Sequence, residues 1–165
     1  MPFTPYHFGA HACASLPFCK RLDVFVFMLS NVVIDIEPLL VMTMDLDYPL
    51  HGYFHTFLGG GFVGFIWALI IFVFRKRVAK VMRVIHIPYN PQLKMMIISG
   101  IFGAWMHVLF DSPLYYDVRP FFPLNSNPLL GLVSIQNMYT ICTYLFIPAI
   151  LIYLVVVISY RRNNS

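Results

Sequence analysis

Five of the six histidines fall into three pairs whose spacing suits metal chemistry. His7 and His11 are four residues apart, as are His51 and His55, and His107 stands four before Asp111. On a helix that spacing puts both side chains on one face, with about 5–6 Å between Cβ atoms. It is the spacing by which one helix offers two side chains to a metal ion. Asp35 and Glu37 add two carboxylates, placed as at the end of a helix entering a turn. Imidazole combined with carboxylate suits a divalent metal, zinc first, with manganese or iron as alternatives. The sixth histidine, His86, lies in a basic stretch and reads as a solvated loop side chain.

The elements that must position these residues are membrane helices. Of the 165 residues, 59% are hydrophobic and 11% charged. Soluble domains average about 45–50% and about 25%. Residues 57–74 and 139–160 carry no charge and approach or exceed the roughly 18–20 residues of a spanning helix. Residues 95–110 serve as a span if the helix runs through Asp111. Residues 6–19 and 22–34 are short apolar runs, read as a helical hairpin of tilted or re-entrant segments. The expected fold is therefore all-α, a polytopic membrane bundle of about five segments in a single domain over residues 1–165. Helix boundaries are expected at Thr4-Pro5 and at Asp47, each as an N-cap signal, and at Pro38 as the end of the second helix.

Basic residues set the expected orientation. Lys20 and Arg21 join the first two segments, a basic stretch from Arg75 to Lys94 joins the third and fourth, and Arg161 and Arg162 follow the last. The positive-inside rule places all of them in the cytoplasm. The N-terminus is then outside and the C-terminus inside, in a multi-pass protein of the cell membrane. The outer side holds residues 1–6, 35–47 and 112–138. This topology rests on Lys and Arg alone, yet it brings His7, His11, Asp35, Glu37, His51, His55, His107 and Asp111 to one side. Small residues share the ligand faces: Gly59 with His55, Gly100 and Gly103 with His107, and Ala10, Ala14 and Ser15 with the first pair. Such residues let membrane helices approach closely. The aromatic outer loop around Tyr115, Tyr116, Phe121 and Phe122 reads as an interfacial belt, or as a lid whose Arg119 meets an anionic substrate group.

Other chemistries find no support. The +4 net charge sits between apolar runs as a topology signal, and no basic, polar patch suits a nucleic acid. There is no G-x-S-x-G motif and no phosphate-binding glycine loop; Gly59-Gly60-Gly61 opens an apolar span. Cys13, Cys19 and Cys142 form no C-x-x-C motif and read as unpaired apolar side chains. No cleavable signal peptide is expected.

These residues resemble the bacterial and archaeal membrane-bound metal-dependent hydrolases, small inner-membrane proteins. The resemblance rests on the opening Met1-Pro2-Phe3-Thr4-Pro5-Tyr6-His7, on Asp35-Ile36-Glu37, on His51-Gly52-Tyr53-Phe54-His55-Thr56, and on His107-Val108-Leu109-Phe110-Asp111. Gly52 stands where better-known members carry an arginine, and the histidine spacing there is one residue shorter. The ligand order is also similar to that of zinc-dependent phospholipases C and single-strand nucleases. By that likeness His7 or His11, Asp35, His51 or His55, His107 and Asp111 are metal ligands. The chain has no histidine or glutamate after Asp111 to match those enzymes' further site.

The expected function is a metal-dependent hydrolase at the outer membrane interface, acting on a small-molecule or lipid substrate. The candidate metal residues are His7, His11, Asp35, His51, His55, His107 and Asp111, either on the ion or supporting it. Glu37 is the candidate general base, Asp111 a further catalytic candidate, and Arg119 the substrate contact. The bilayer is the expected partner. The alternatives are a metal transporter or sensor, and a non-catalytic haem or structural membrane protein.

Overall fold

The structure is a computed structural model and describes residues 6–164. The Thr4-Pro5 boundary, and the resembling segment before Tyr6, lie outside the described residues. The described chain is helical, without a strand: α1 (His7–Ser15), α2 (Val24–Ile34), α3 (Ile36–Thr43), α4 (Phe57–Val84), α5 (Leu93–Asp111), α6 (Ile135–Tyr144) and α7 (Phe146–Asn164). Single 3-10 turns span Leu16–Phe18 and Tyr53–His55.

Two prolines explain two of the breaks. Pro38 cannot donate to the Ile34 carbonyl and crowds it, so α2 stops at Ile34. The chain then resumes one residue later as α3, with Leu39 N donating to Asp35 O at 3.2 Å. Pro148 acts likewise on Tyr144, and separates α6 from α7. Pro38 thus ends α2 as the sequence suggests, but the segment does not stop there. It continues as an apolar 20-residue path, Val24–Thr43, and part of the expected 35–47 outer loop is helix.

By length and composition, Val24–Thr43, Phe57–Val84, Leu93–Asp111 and Ile135–Asn163 can each cross a membrane. With the short α1 they make a bundle of about five segments. Burial ranks them: 56% of the best apolar window of the first path is covered, against 11% of the last. The α2–α3 path is thus central. The α6–α7 path turns Ile147, Ile150, Leu151, Leu154, Val155 and Ile158 outward, as a lipid-facing helix does.

Close approach of α2, α4 and α5 sets the site. A methyl group on Gly64 of α4 would collide with the Gly100 carbonyl of α5, and the reverse holds. One on Gly103 would meet the Ser30 hydroxyl and Phe27 carbonyl of α2. Apolar side chains gain little by leaving lipid for protein, so this backbone contact and its van der Waals packing hold the helices together. Gly59 serves differently from the expected ligand-face packing: its Cα lies against the Tyr53 carbonyl, within the turn that precedes α4.

α4 begins at Phe57, not near Asp47. Thr56 is its N-cap, with Oγ1 accepting from Gly59 N at 2.8 Å. Asp47 is an exposed loop residue. At the far end of α4, His86 takes a left-handed φ of 55° and sets its ring edge-on to Tyr160. It is half-buried rather than solvated. All three cysteines are free.

Candidate metal centre

Four side chains from three parts of the chain converge at one end of the bundle. Asp35 sits at the α2–α3 junction that Pro38 creates. His55 closes the turn before α4. His107 and Asp111 occupy one face of the last turns of α5. One ligand atom from each lies within 4.8 Å of every other. His107 Nε2 is 3.1 Å from Asp111 Oδ2 and 3.4 Å from Asp35 Oδ1. His55 Nε2 is 3.7 Å from Asp111 Oδ2 and 4.0 Å from Asp35 Oδ1. Ligands about 2.0–2.1 Å from a tetrahedral zinc stand about 3.4 Å apart, so these separations bracket that spacing.

The two ring nitrogens supply the sharper observation. Both Nε2 atoms are buried, and neither has a hydrogen-bond partner among the described residues. His107 Nε2 lies 3.1 Å from the Asp111 carboxylate yet meets no hydrogen-bond geometry there. Buried polar atoms are normally satisfied. Two imidazole nitrogens orphaned beside two carboxylates are what a cation site requires.

The opposite edge of each ring is tied down. His107 Nδ1 lies 2.6 Å from Asn31 Oδ1, so Nδ1 carries the proton and Nε2 presents its lone pair. His55 Nδ1 lies 3.1 Å from Glu37 Oε2 and is set the same way. Burial, opposed in part by Glu37, lowers the His55 pKa below its ordinary 6.5 and keeps the ring neutral. Asp35 and Asp111 are both buried and share His107 Nε2 as a neighbour; two carboxylates brought together out of water are costly, and a divalent cation between them would offset that cost.

The remaining expected residues lie around this centre rather than in it. His7 is on α1, and its Nε2 is 3.3 Å from Asp111 Oδ1, the oxygen facing away from His107. His11 shares the α1 face, but its ring nitrogens meet the His7 carbonyl at 2.9 Å and the Gly103 carbonyl at 3.1 Å. It binds α1 to α5. His51 and His55 are not a helical pair, because residues 51–55 are loop and turn. His51 Nδ1 is 3.0 Å from Asp117 Oδ1, its backbone N–H donates to Asp117, and its ring stacks on Tyr115 at 4.2 Å. The ring still meets that of His55 at 4.7 Å.

Glu37 faces the back of the site. Its carboxylate accepts from Gly52 N at 3.0 Å, from Phe54 N at 3.1 Å and from His55 Nδ1. It therefore folds the 51–55 turn as well as orienting the ligand. Arg119 is exposed and donates to Asn125 Oδ1 at 3.2 Å. It lines a cavity of about 170 Å³ with His51, Asp117, Tyr48, Tyr53 and Phe122. A gap of about 10 Å³, the size of one water, reaches His7 and Asp111 beneath Tyr115 and Tyr139. Burial, and after it the Asp111 charge, raises the Tyr115 pKa and keeps that phenol protonated.

Sequence reasoning missed two supports. Asn31 precedes Asp35 by four residues, so helical spacing was a usable signal that both face the same way. Asp117 reaches His51 across 66 residues, and no local spacing announces it. Among known proteins, no family model, no curated protein and no solved structure matches this chain.

Proposed function

We propose that this protein is a metal-dependent hydrolase, with zinc as its ion, acting at the outer membrane interface on a lipid or lipid-linked phosphate ester. The observation that carries the metal is the pair of orphaned, buried Nε2 atoms of His55 and His107, set against Asp35 and Asp111. An ion there would supply Lewis acidity and an activated water near neutral pH. The resemblance to membrane-bound metal-dependent hydrolases supports the reaction class. The positive-inside rule supports an outward-facing site, since the cluster lies at the end of α4 remote from Arg75, Lys76 and Arg77.

The protein's own residues divide the work. Asn31 and Glu37 hold the ligand rings in the metal-accepting tautomer. His7 holds Asp111. Arg119 lines the cavity beside His51 and offers a planar, permanently charged group to a phosphate. His51, fixed by Asp117, stands between that cavity and His55. Glu37 positions His55 here; its full set of N–H donors speaks against the general-base role.

The rival readings fit less well. A transport path needs polar groups lining the inner half of the spans. Ser30 and Ser99 instead donate to carbonyls of their own helices, Phe27 and Met95, each at 2.7 Å. Against haem, the two imidazoles of the cluster stand beside two carboxylates, a mixed ligand set that suits a divalent ion rather than axial haem ligation. The test is release of phosphate or nitrophenol from phosphodiester lipids and chromogenic esters by zinc-loaded protein. Turnover should disappear on chelation and in Asp111→Asn. Zinc-loaded protein inert toward every ester would overturn the hydrolase reading while leaving the metal site intact.

A further inference from the structure

We propose that a cleft at the end of the bundle opposite the metal centre binds an anionic phospholipid. The cleft encloses about 1120 Å³ between the Leu16–Phe18 turn, the α4–α5 loop and α7. Leu16, Pro17, Ile152, Val155 and Val156 give it apolar walls, and Lys20 and Arg21 stand at its rim. Both cations are exposed, and no carboxylate lines the cleft to neutralise them.

The cleft adjoins a second hollow. Leu16 also lines a groove of about 360 Å³ bounded by Ala12, Met28, Phe146 and Ala149. Its one side-chain polar group, the Tyr153 hydroxyl, is already donated to the Ile85 carbonyl at 2.9 Å. α7 borders both hollows from Phe146 to Asn163. At 1.5 Å per residue this is a trough of roughly 25 Å, apolar in its depth and cationic at its mouth.

That pattern selects the occupant. An inserted peptide would bring backbone groups that the groove cannot satisfy within a membrane. A hydrocarbon chain brings none. The two uncompensated cations lie where the apolar helices end, and basic pockets between membrane helices select anionic head groups. The site needs no metal, and it stands or falls separately from the hydrolase reading.

Native mass spectrometry of the detergent-purified full chain tests it, with phosphatidylglycerol and phosphatidylcholine supplied in equal amounts. Phosphatidylglycerol adducts should be retained in preference. Lys20→Ala/Arg21→Ala should cut that preference about tenfold. Lys76→Ala/Arg77→Ala, a basic pair outside the cleft, should keep it. Val155→Trp fills the cleft from an exposed position and should lower phosphatidylglycerol adducts at unchanged helix content. Equal retention of the two lipids by the unaltered protein would overturn the proposal. So would equal losses in the two double variants, or full retention in Val155→Trp.

Discussion

Glu37→Gln separates positioning from proton transfer at this site. The Glu37 carboxylate accepts from Gly52 N, Phe54 N and His55 Nδ1, at 3.0–3.1 Å. Glutamine keeps one accepting oxygen and turns an amide N–H₂ toward donors that it cannot satisfy. A hydrogen bond to a charged group contributes about 1.5–3 kcal/mol, so losing one or two of these should destabilise the turn by about 3 kcal/mol. The His55 ring loses its anchor as well, and changes to such supporting groups weaken metal binding by about 10–100-fold. A competition titration against a chromophoric zinc chelator reads that affinity, and thermal unfolding in detergent reads the stability. If Glu37 were instead the general base, zinc affinity would hold while turnover fell. Unchanged zinc affinity in a folded variant would refute the positioning argument.

Other outcomes follow from the same geometry. Asn31→Leu removes the acceptor that fixes the His107 tautomer and should weaken zinc binding about tenfold or more, by the same titration. His11→Ala and His51→Ala should each retain zinc in elemental analysis, because neither ring belongs to the four-residue cluster. Gly103→Val forces a side chain into the Phe27 carbonyl and should cost about 1–3 kcal/mol in thermal unfolding. Burial lowers the His55 pKa below 6.5, so protons compete for this ligand only under more acidic conditions. In the metal-free protein the His55 imidazole should therefore remain neutral by NMR as pH falls from 8 to 6.5; a titration midpoint above 6.5 would contradict it.

Much of this arrangement is legible in the residues. The His107–Asp111 pair keeps helical spacing because an uninterrupted apolar helix carries it, and structure and spacing agree. The common end for all the ligands follows from where Lys and Arg interrupt the apolar runs. The start of α4 is less legible: Asp47-Tyr48-Pro49 reads as an N-cap signal, whereas Thr56 takes that role, its Oγ1 accepting from Gly59 N. That choice dissolves the His51–His55 helical pair. Pro38 marks a break, but only packing decides that helix resumes beyond it and leaves Asp35 at the junction. The partners of Glu37 and His51 depend on how loops fold back over the bundle, and no periodicity encodes that. Among the expected ligands, His7 and His11 share a face as their spacing requires, yet one supports Asp111 and the other ties α1 to α5.

The most direct test of the account is the metal content of detergent-purified protein, measured by elemental mass spectrometry on the unaltered chain and on His107→Ala. The unaltered chain should hold about one equivalent of zinc, or of manganese or iron, and the variant should lose nearly all of it. Protein that stays metal-free after reconstitution with each ion, or a variant that keeps its full complement, would contradict it.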